Sequence, residues 1–191
     1  SLSSGARVRV RGQAQGNALM LDGGSDSLEV VSTVLPDTMG EQTIAVMLVN
    51  FQDDTSQPKT LAEMNTLVFG DISRHYQESS FGQTWFKGDT FGWFTLAMSK
   101  TVCEPEALAS LADAQAKLAG VDLAKYQRRM YVFPANACPW QGLGSLGGTN
   151  TQAWVNGLIT LQVAGHELGH NNGLFHAHAY DCDTGVFREF C

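Results

Sequence analysis

The chain has 191 residues, 43% hydrophobic and 16% charged, and 19 Asp and Glu against 12 Lys and Arg leave a net charge of −7. A chain of this length buries roughly 70% of the surface its unfolded form exposes, so one soluble domain with a short appendage needs neither metal nor disulfide to hold a core. The acidic balance, with no basic cluster beyond Arg7-Val-Arg9-Val-Arg11, argues against nucleic acid or anionic membrane as the main partner, and the six-residue apolar run Ile44 to Val49 is far short of the roughly 18 residues a membrane span needs.

Ser1 to Gly5 has neither a basic stretch nor an apolar core, so no signal peptide is read here and the chain is expected to begin after processing or to be cut from a longer one. Cys103, Cys138, Cys182 and Cys191 allow three pairings, and none of their spacings is Cys-x-x-Cys. Two disulfides in an exported protein are expected.

Residues 1–35 read as short β segments: Arg7–Arg11 with its arginines on an exposed face, Leu19–Leu21, and Leu28–Val31. Pro36-Asp-Thr-Met-Gly-Glu41 has linker chemistry, which puts a boundary near residue 42 between a β segment (1–42) and the main domain (43–191). Ile44–Phe51 then predicts a buried strand. Leu61, Met64, Leu67 and Val68 fall at helical spacing behind Pro58, so a helix is expected from there through Ile72 to Tyr76, ended by Phe81-Gly82. Thr84–Lys87 and Gly92–Met98, separated by Gly88-Asp89, predict a hairpin.

Glu104–Gly120 has the clearest amphipathic helical pattern in the middle of the chain, with Leu108, Leu111, Ala114 (or Gln115) and Leu118 on its apolar side. Arg129–Phe133 predicts a strand. Gly142-Leu-Gly-Ser-Leu-Gly-Gly148 lacks the Lys-Ser/Thr pair of a phosphate loop and reads as an edge strand or rim. A last helix is expected from Thr151 to Asn171, with Trp154, Leu158, Leu161 and Leu168 on its apolar side.

The chemistry concentrates in Val163-Ala-Gly-His166-Glu167-Leu-Gly-His170-Asn-Asn-Gly173-Leu-Phe-His176. Residues four apart on a helix lie about 40° from one another around the axis, so His166 and His170 can aim two imidazoles at one metal ion. Catalytic zinc takes a third protein ligand and keeps a position for water, and His176 is the available donor. A helix running on would carry His176 about 9 Å further along and to the wrong face, so the chain must turn, which Gly173 permits. Glu167 is rotated about 100° from His166, beside the metal, where a carboxylate can act as general base toward a metal-bound water and return the proton to a leaving amine. Three of the five histidines fall inside these eleven residues, at the H-E-x-x-H-x-x-G-x-x-H spacing.

On these residues the sequence resembles the metzincin zinc peptidases, and among them the gametolysin family. His166 to His176 match the zinc motif, with Glu167 in the place of its base and Gly173 in that of its turn glycine. Leu174-Phe-His-Ala177, Tyr76 to Gly82, Gly92-Trp93 and the strand Ile44–Asp53 extend the likeness over residues 43–181. The resemblance implies an α+β catalytic domain, a twisted mixed sheet over an active-site helix, and a secreted zinc endopeptidase that hydrolyses extracellular or cell-wall proteins. Residues 1–35 would be the end of a pro-region or an N-terminal β segment. The pattern is departed from in two ways. No Met follows Met130, so a Met-containing turn under the metal is expected to be missing, with a truncated C-terminal subdomain, and no Cys precedes Cys103 to serve as a cysteine switch.

Other residues carry weaker signals. His178 could replace His176, His75 reads as a helix-surface histidine, and Tyr180 could be an extra ligand or oxyanion donor of the kind some metzincins carry. Asp181 and Asp183 offer too few oxygens for calcium. The aromatics Phe81, Trp85, Phe86, Phe91, Trp93 and Phe94 read as packing rather than a carbohydrate platform. Ser145 has no triad partners. The rival functions are a non-catalytic binding or adhesion module whose structural zinc is closed by His178 or Asp181, and a cell-wall amidase sharing the zinc chemistry.

Overall fold

The computed structural model describes residues 7–15, 18–22, 27–32, 38–176, 179–181 and 186–188. At the N-terminal end β1 (Arg7–Val10) pairs with β4 (Leu28–Ser32) and β2 (Gly12–Gln15) with β3 (Ala18–Leu21), both antiparallel. Arg9 is exposed and bonded to Glu29 at 2.7 Å, as expected of an arginine on a solvated strand face.

The main unit is an α+β fold around a five-stranded mixed sheet. Its strands are β5 (Gly40–Phe51), β6 (Thr84–Leu96), β7 (Arg128–Phe133), β8 (Gly142–Gly144) and β9 (Thr151–Asn156), in the order β6-β5-β7-β9-β8. All run parallel except β8, which pairs antiparallel with β9 at one edge. The unbroken apolar run of β5 follows from its place inside the sheet, since a parallel strand covered on both faces has no solvated side to alternate with. Ile44, Val46 and Leu48 pack on one face with Met130, Val132, Ala153 and Val155, while Ala45, Met47, Val49 and Phe51 pack on the other with Tyr131, Phe133 and Trp154.

Helices cover both faces. A continuous helical run comprises α1 (Leu61–Asn65), a wider π-helical stretch (Thr66–Ile72) and α2 (Ser73–Ser79). It starts three residues after Pro58, where Thr60 accepts from the Glu63 N–H and the Glu63 carboxylate accepts from the Thr60 N–H, a reciprocal cap. Met64, Val68 and Ile72 bury its inner face against the first core, together with Ala164 and Leu168 of α4 (Leu161–Asn171). The opposite face is covered by α3 (Pro105–Leu118) through Leu108, Ala109, Ala112 and Ala116. Leu118 and Ala114, expected inside, are exposed, because the alanines at 109, 112 and 116 let this helix approach the sheet closely along a stripe one position over.

Two expectations are corrected. Thr84–Leu96 is one edge strand parallel to β5 rather than a hairpin: Gly88 serves close packing, not a turn, since a Cβ there would meet the Ile44 carbonyl oxygen at 1.9 Å. Thr151–Asn171 is not one helix. Its first six residues are β9, and pairing on both sides with β7 and β8 overrides a spacing that fitted a helix equally well. Gly157, at φ 71°, turns the chain, and Thr160 then caps α4 by accepting from the Val163 N–H. Trp154 is accordingly a core strand residue, while Leu158 and Leu161 are exposed.

Cys103 and Cys138 form a disulfide. Of the two disulfides expected with their pairing open, this is one; Cys182 and Cys191 lie outside the described residues. No helix among the described residues is long and apolar enough to cross a membrane.

Candidate metal centre

α4 follows β9 through one tight turn, so its first turn starts beside the sheet edge formed by β8 and β9. Its end is a Schellman motif: the Gly173 N–H donates to the His170 carbonyl at 2.8 Å and the Leu174 N–H to the Gly169 carbonyl at 3.0 Å, with Gly173 at φ 82°. The turn brings His176 back over the helix. Its Nε2 lies 3.1 Å from Nε2 of His166 and 3.1 Å from Nε2 of His170, and the ligand atoms of all three lie within 4.8 Å of one another. Zinc with Zn–N bonds of about 2.0–2.1 Å in tetrahedral geometry spaces its nitrogens by about 3.3 Å, so three neutral imidazoles so disposed fit a single ion.

The His170 ring is oriented from behind. Its Nδ1–H donates to the Leu174 carbonyl at 2.8 Å, which leaves the Nε2 lone pair toward the other histidines. His166 has its pKa lowered, by burial first and then by His170 and His176, so this ring stays neutral to lower pH than usual. The turn glycine thus sets both the third donor and the tautomer of the second.

Glu167 is only 6% exposed. Burial raises its pKa, partly offset by His170. Its carboxylate lies under β8: a Cβ on Gly142 would sit 2.2 Å from Oε1, and one on Gly144 would meet Oε2 at 3.1 Å and the His170 Cβ at 2.9 Å. A cleft of about 260 Å³ opens beside it, lined by Gln141, Gly142, Leu158, Val163 and His166 among others. The sequence identifies the glycine run as a rim; that two of its glycines bear directly on Glu167 has no signal in the sequence beyond their alternation.

The far end of α4 is clamped by buried polar groups. Arg128, at the start of β7, donates from Nη1 to the Asn171 carbonyl and to Thr151 Oγ1, both at 2.7 Å, and from Nη2 to Gln42 Oε1. Asn171 Nδ2 donates to the Ser145 and Gln152 carbonyls at 2.9 and 2.8 Å, tying the helix end to the turn between β8 and β9. Tyr76 Oη donates to the Gly165 carbonyl at 2.8 Å, and burial pushes its phenol up to about 12. Sequence patterning gives Arg128 no role and Asn171 only that of a helix end.

The weaker candidates fall elsewhere. His75 is exposed and meets the Tyr76 ring edge-on, with centroids 5.8 Å apart. Ser145 Oγ accepts from the Gln152 N–H at 2.8 Å within the β8–β9 turn. Among the aromatics, Phe86 is buried, Phe91, Trp93 and Phe94 pack against the two cores, and Phe81 is exposed. Tyr180 and Asp181 lie on β10 (Ala179–Asp181), which pairs with β11 (Val186–Arg188). His178 and Asp183 lie outside the described residues.

The model of a family described as gametolysin peptidase M11 matches residues 29–185. No curated protein compared with the chain matches it. Among solved structures, a chain from a chaperone–substrate complex aligns at 17% identity and a TM-score of 0.44 over 83% of this chain, which spans 26% of its length. Archaemetzincin from Methanopyrus kandleri aligns at 18% identity and a TM-score of 0.43, over 75% of this chain and 81% of its own.

Proposed function

The chain belongs to the gametolysin family of metallopeptidases, and on that footing we propose that it is a zinc-dependent endopeptidase with His166, His170 and His176 as metal ligands and Glu167 as general base. The observation that carries this reading is the convergence of three Nε2 atoms beside one buried carboxylate. Bound there, zinc would polarise a peptide carbonyl and acidify water. The chain's own residues do the rest. The Leu174 carbonyl holds the His170 ring, and the Glu167 carboxylate takes a proton from the attacking water and passes it to the departing amine nitrogen. The raised pKa of Glu167 favours the shuttle in direction, since burial makes the carboxylate a stronger base than an exposed one.

The free edge of the β8 rim, continued by Gly144 to Gly148, would align an extended peptide as an added strand. Proteins outside the cell, including those of cell walls, are the proposed substrates, and the Cys103–Cys138 disulfide supports an oxidising compartment. Residues 1–42 are proposed as a separate β segment or the end of a pro-region, and 43–191 as the catalytic domain.

The test is Glu167→Gln. Loss of peptide cleavage by about 10²–10⁴-fold with zinc retained is expected. A parent that binds zinc and cleaves no peptide, indistinguishable from the variant, would instead mark a binding module, and turnover of cell-wall amides but not of peptides would mark an amidase.

A further inference from the structure

Asn156 has no part in the chemistry above, yet every polar atom of its buried side chain is spent on one irregular loop. Its Oδ1 accepts from the Asn136 N–H at 3.0 Å, and its Nδ2 donates to the carbonyls of Cys138 at 3.2 Å and Trp140 at 2.7 Å. Its backbone N–H donates to the Gln141 carbonyl at 2.8 Å. The same loop is fixed at its other side, where Cys138 is joined to Cys103, the Ala137 N–H donates to the Lys100 carbonyl at 2.8 Å, and Asn136 Nδ2 donates to the Val102 carbonyl at 3.3 Å. The next residue in the chain is Gly142, whose backbone lies against the Glu167 carboxylate.

We propose that Asn156 is a positioning residue for catalysis: with the Cys103–Cys138 crosslink it braces the 136–141 loop, which sets the β8 rim and through it the orientation of Glu167. This role for Asn156 rests on the reading of Glu167 as the base. A short amide suits the task, because one acceptor and two donors on a two-bond stem can satisfy three backbone groups that have no ladder partners of their own. β8 has three residues and, among the described residues, one neighbouring strand, so the ladder alone holds it weakly. Its register over Glu167 therefore depends on what fixes the loop before it. A displacement of about 1 Å in a catalytic group is enough to lower turnover on the order of 10²-fold.

The experiment compares the parent with Asn156→Leu and, because that variant takes a partner from three backbone groups of the loop and can fail to fold, with the double variant Cys103→Ser, Cys138→Ser. Peptide turnover, zinc content and amide hydrogen exchange are measured on each. Exchange in 142–145 at least about tenfold faster than in the parent, with β5 and β7 unchanged, is expected together with a kcat lower by about 10- to 100-fold, on top of any rise in KM that a looser peptide-aligning rim brings. Unchanged exchange in 142–145, or an unchanged kcat, overturns the proposal. A raised KM at constant kcat also overturns it, since the brace would then serve the substrate edge and not Glu167. If the parent itself cleaves nothing, the endopeptidase reading fails, and exchange still decides whether Asn156 holds β8.

Discussion

Gly142 and Glu167 touch so closely that a single methyl group on the glycine would lie 2.2 Å from the carboxylate oxygen Oε1. The glycine is there for space and not for backbone freedom. Gly142→Ala is therefore expected to displace the carboxylate or the rim strand, and to lower kcat by about 10- to 100-fold without loss of zinc. Steady-state kinetics with elemental analysis checks it; a Gly142→Ala protein with parental kcat would show that the carboxylate moves aside freely.

The metal-free protein should carry two opposite pH signatures. Folding raises the pKa of Glu167, so the group contributes nothing below its ordinary value of 4.5 and destabilises the fold increasingly as pH rises through the folded value. His166 is lowered from 6.5, so the unfolded chain takes up a proton that the folded one resists, and stability falls as pH drops through 6.5. Urea melts in chelator should find Glu167→Gln more stable than the parent at neutral pH, with the difference closing toward about pH 4. An equal or lower stability at neutral pH would show that burial of this carboxylate is compensated.

Because binding energy at a metal site is also folding energy, His170→Ala is expected to lose zinc and to lose the response of Tm to chelator. The parent should hold about one zinc per chain and lose several degrees in Tm when it is removed. Zinc retained by the variant would point to a ligand set other than His166, His170 and His176.

Arg128→Met tests the clamp on the C-terminal end of α4. It strips donors from the Asn171 carbonyl, Thr151 Oγ1 and Gln42 Oε1 in a site where Arg128 is 1% exposed. Each buried acceptor left unpaired costs about 1–3 kcal/mol, so a loss of several kcal/mol is expected in denaturant melts, accompanied by weaker zinc binding as the helix end loosens. A change below about 1 kcal/mol would show that water replaces the guanidinium.

The local part of the site is legible in the chain alone. His166, Glu167 and His170 are related by helical periodicity, and Gly173 closes the turn that returns His176, so their relation holds wherever that helix sits. The tertiary structure alone decided the rest. Thr151–Asn156 is a strand because β7 and β8 flank it, and Gly88 is a packing glycine because β5 runs alongside; of these partners β5 and β7 lie far away in the chain. The burial of Glu167 under Gly142, the Arg128 clamp and the Asn156 brace join residues 16 to 86 positions apart. Spacing within one segment encodes which side chains share a face; only the pairing of distant segments brings a second surface against it.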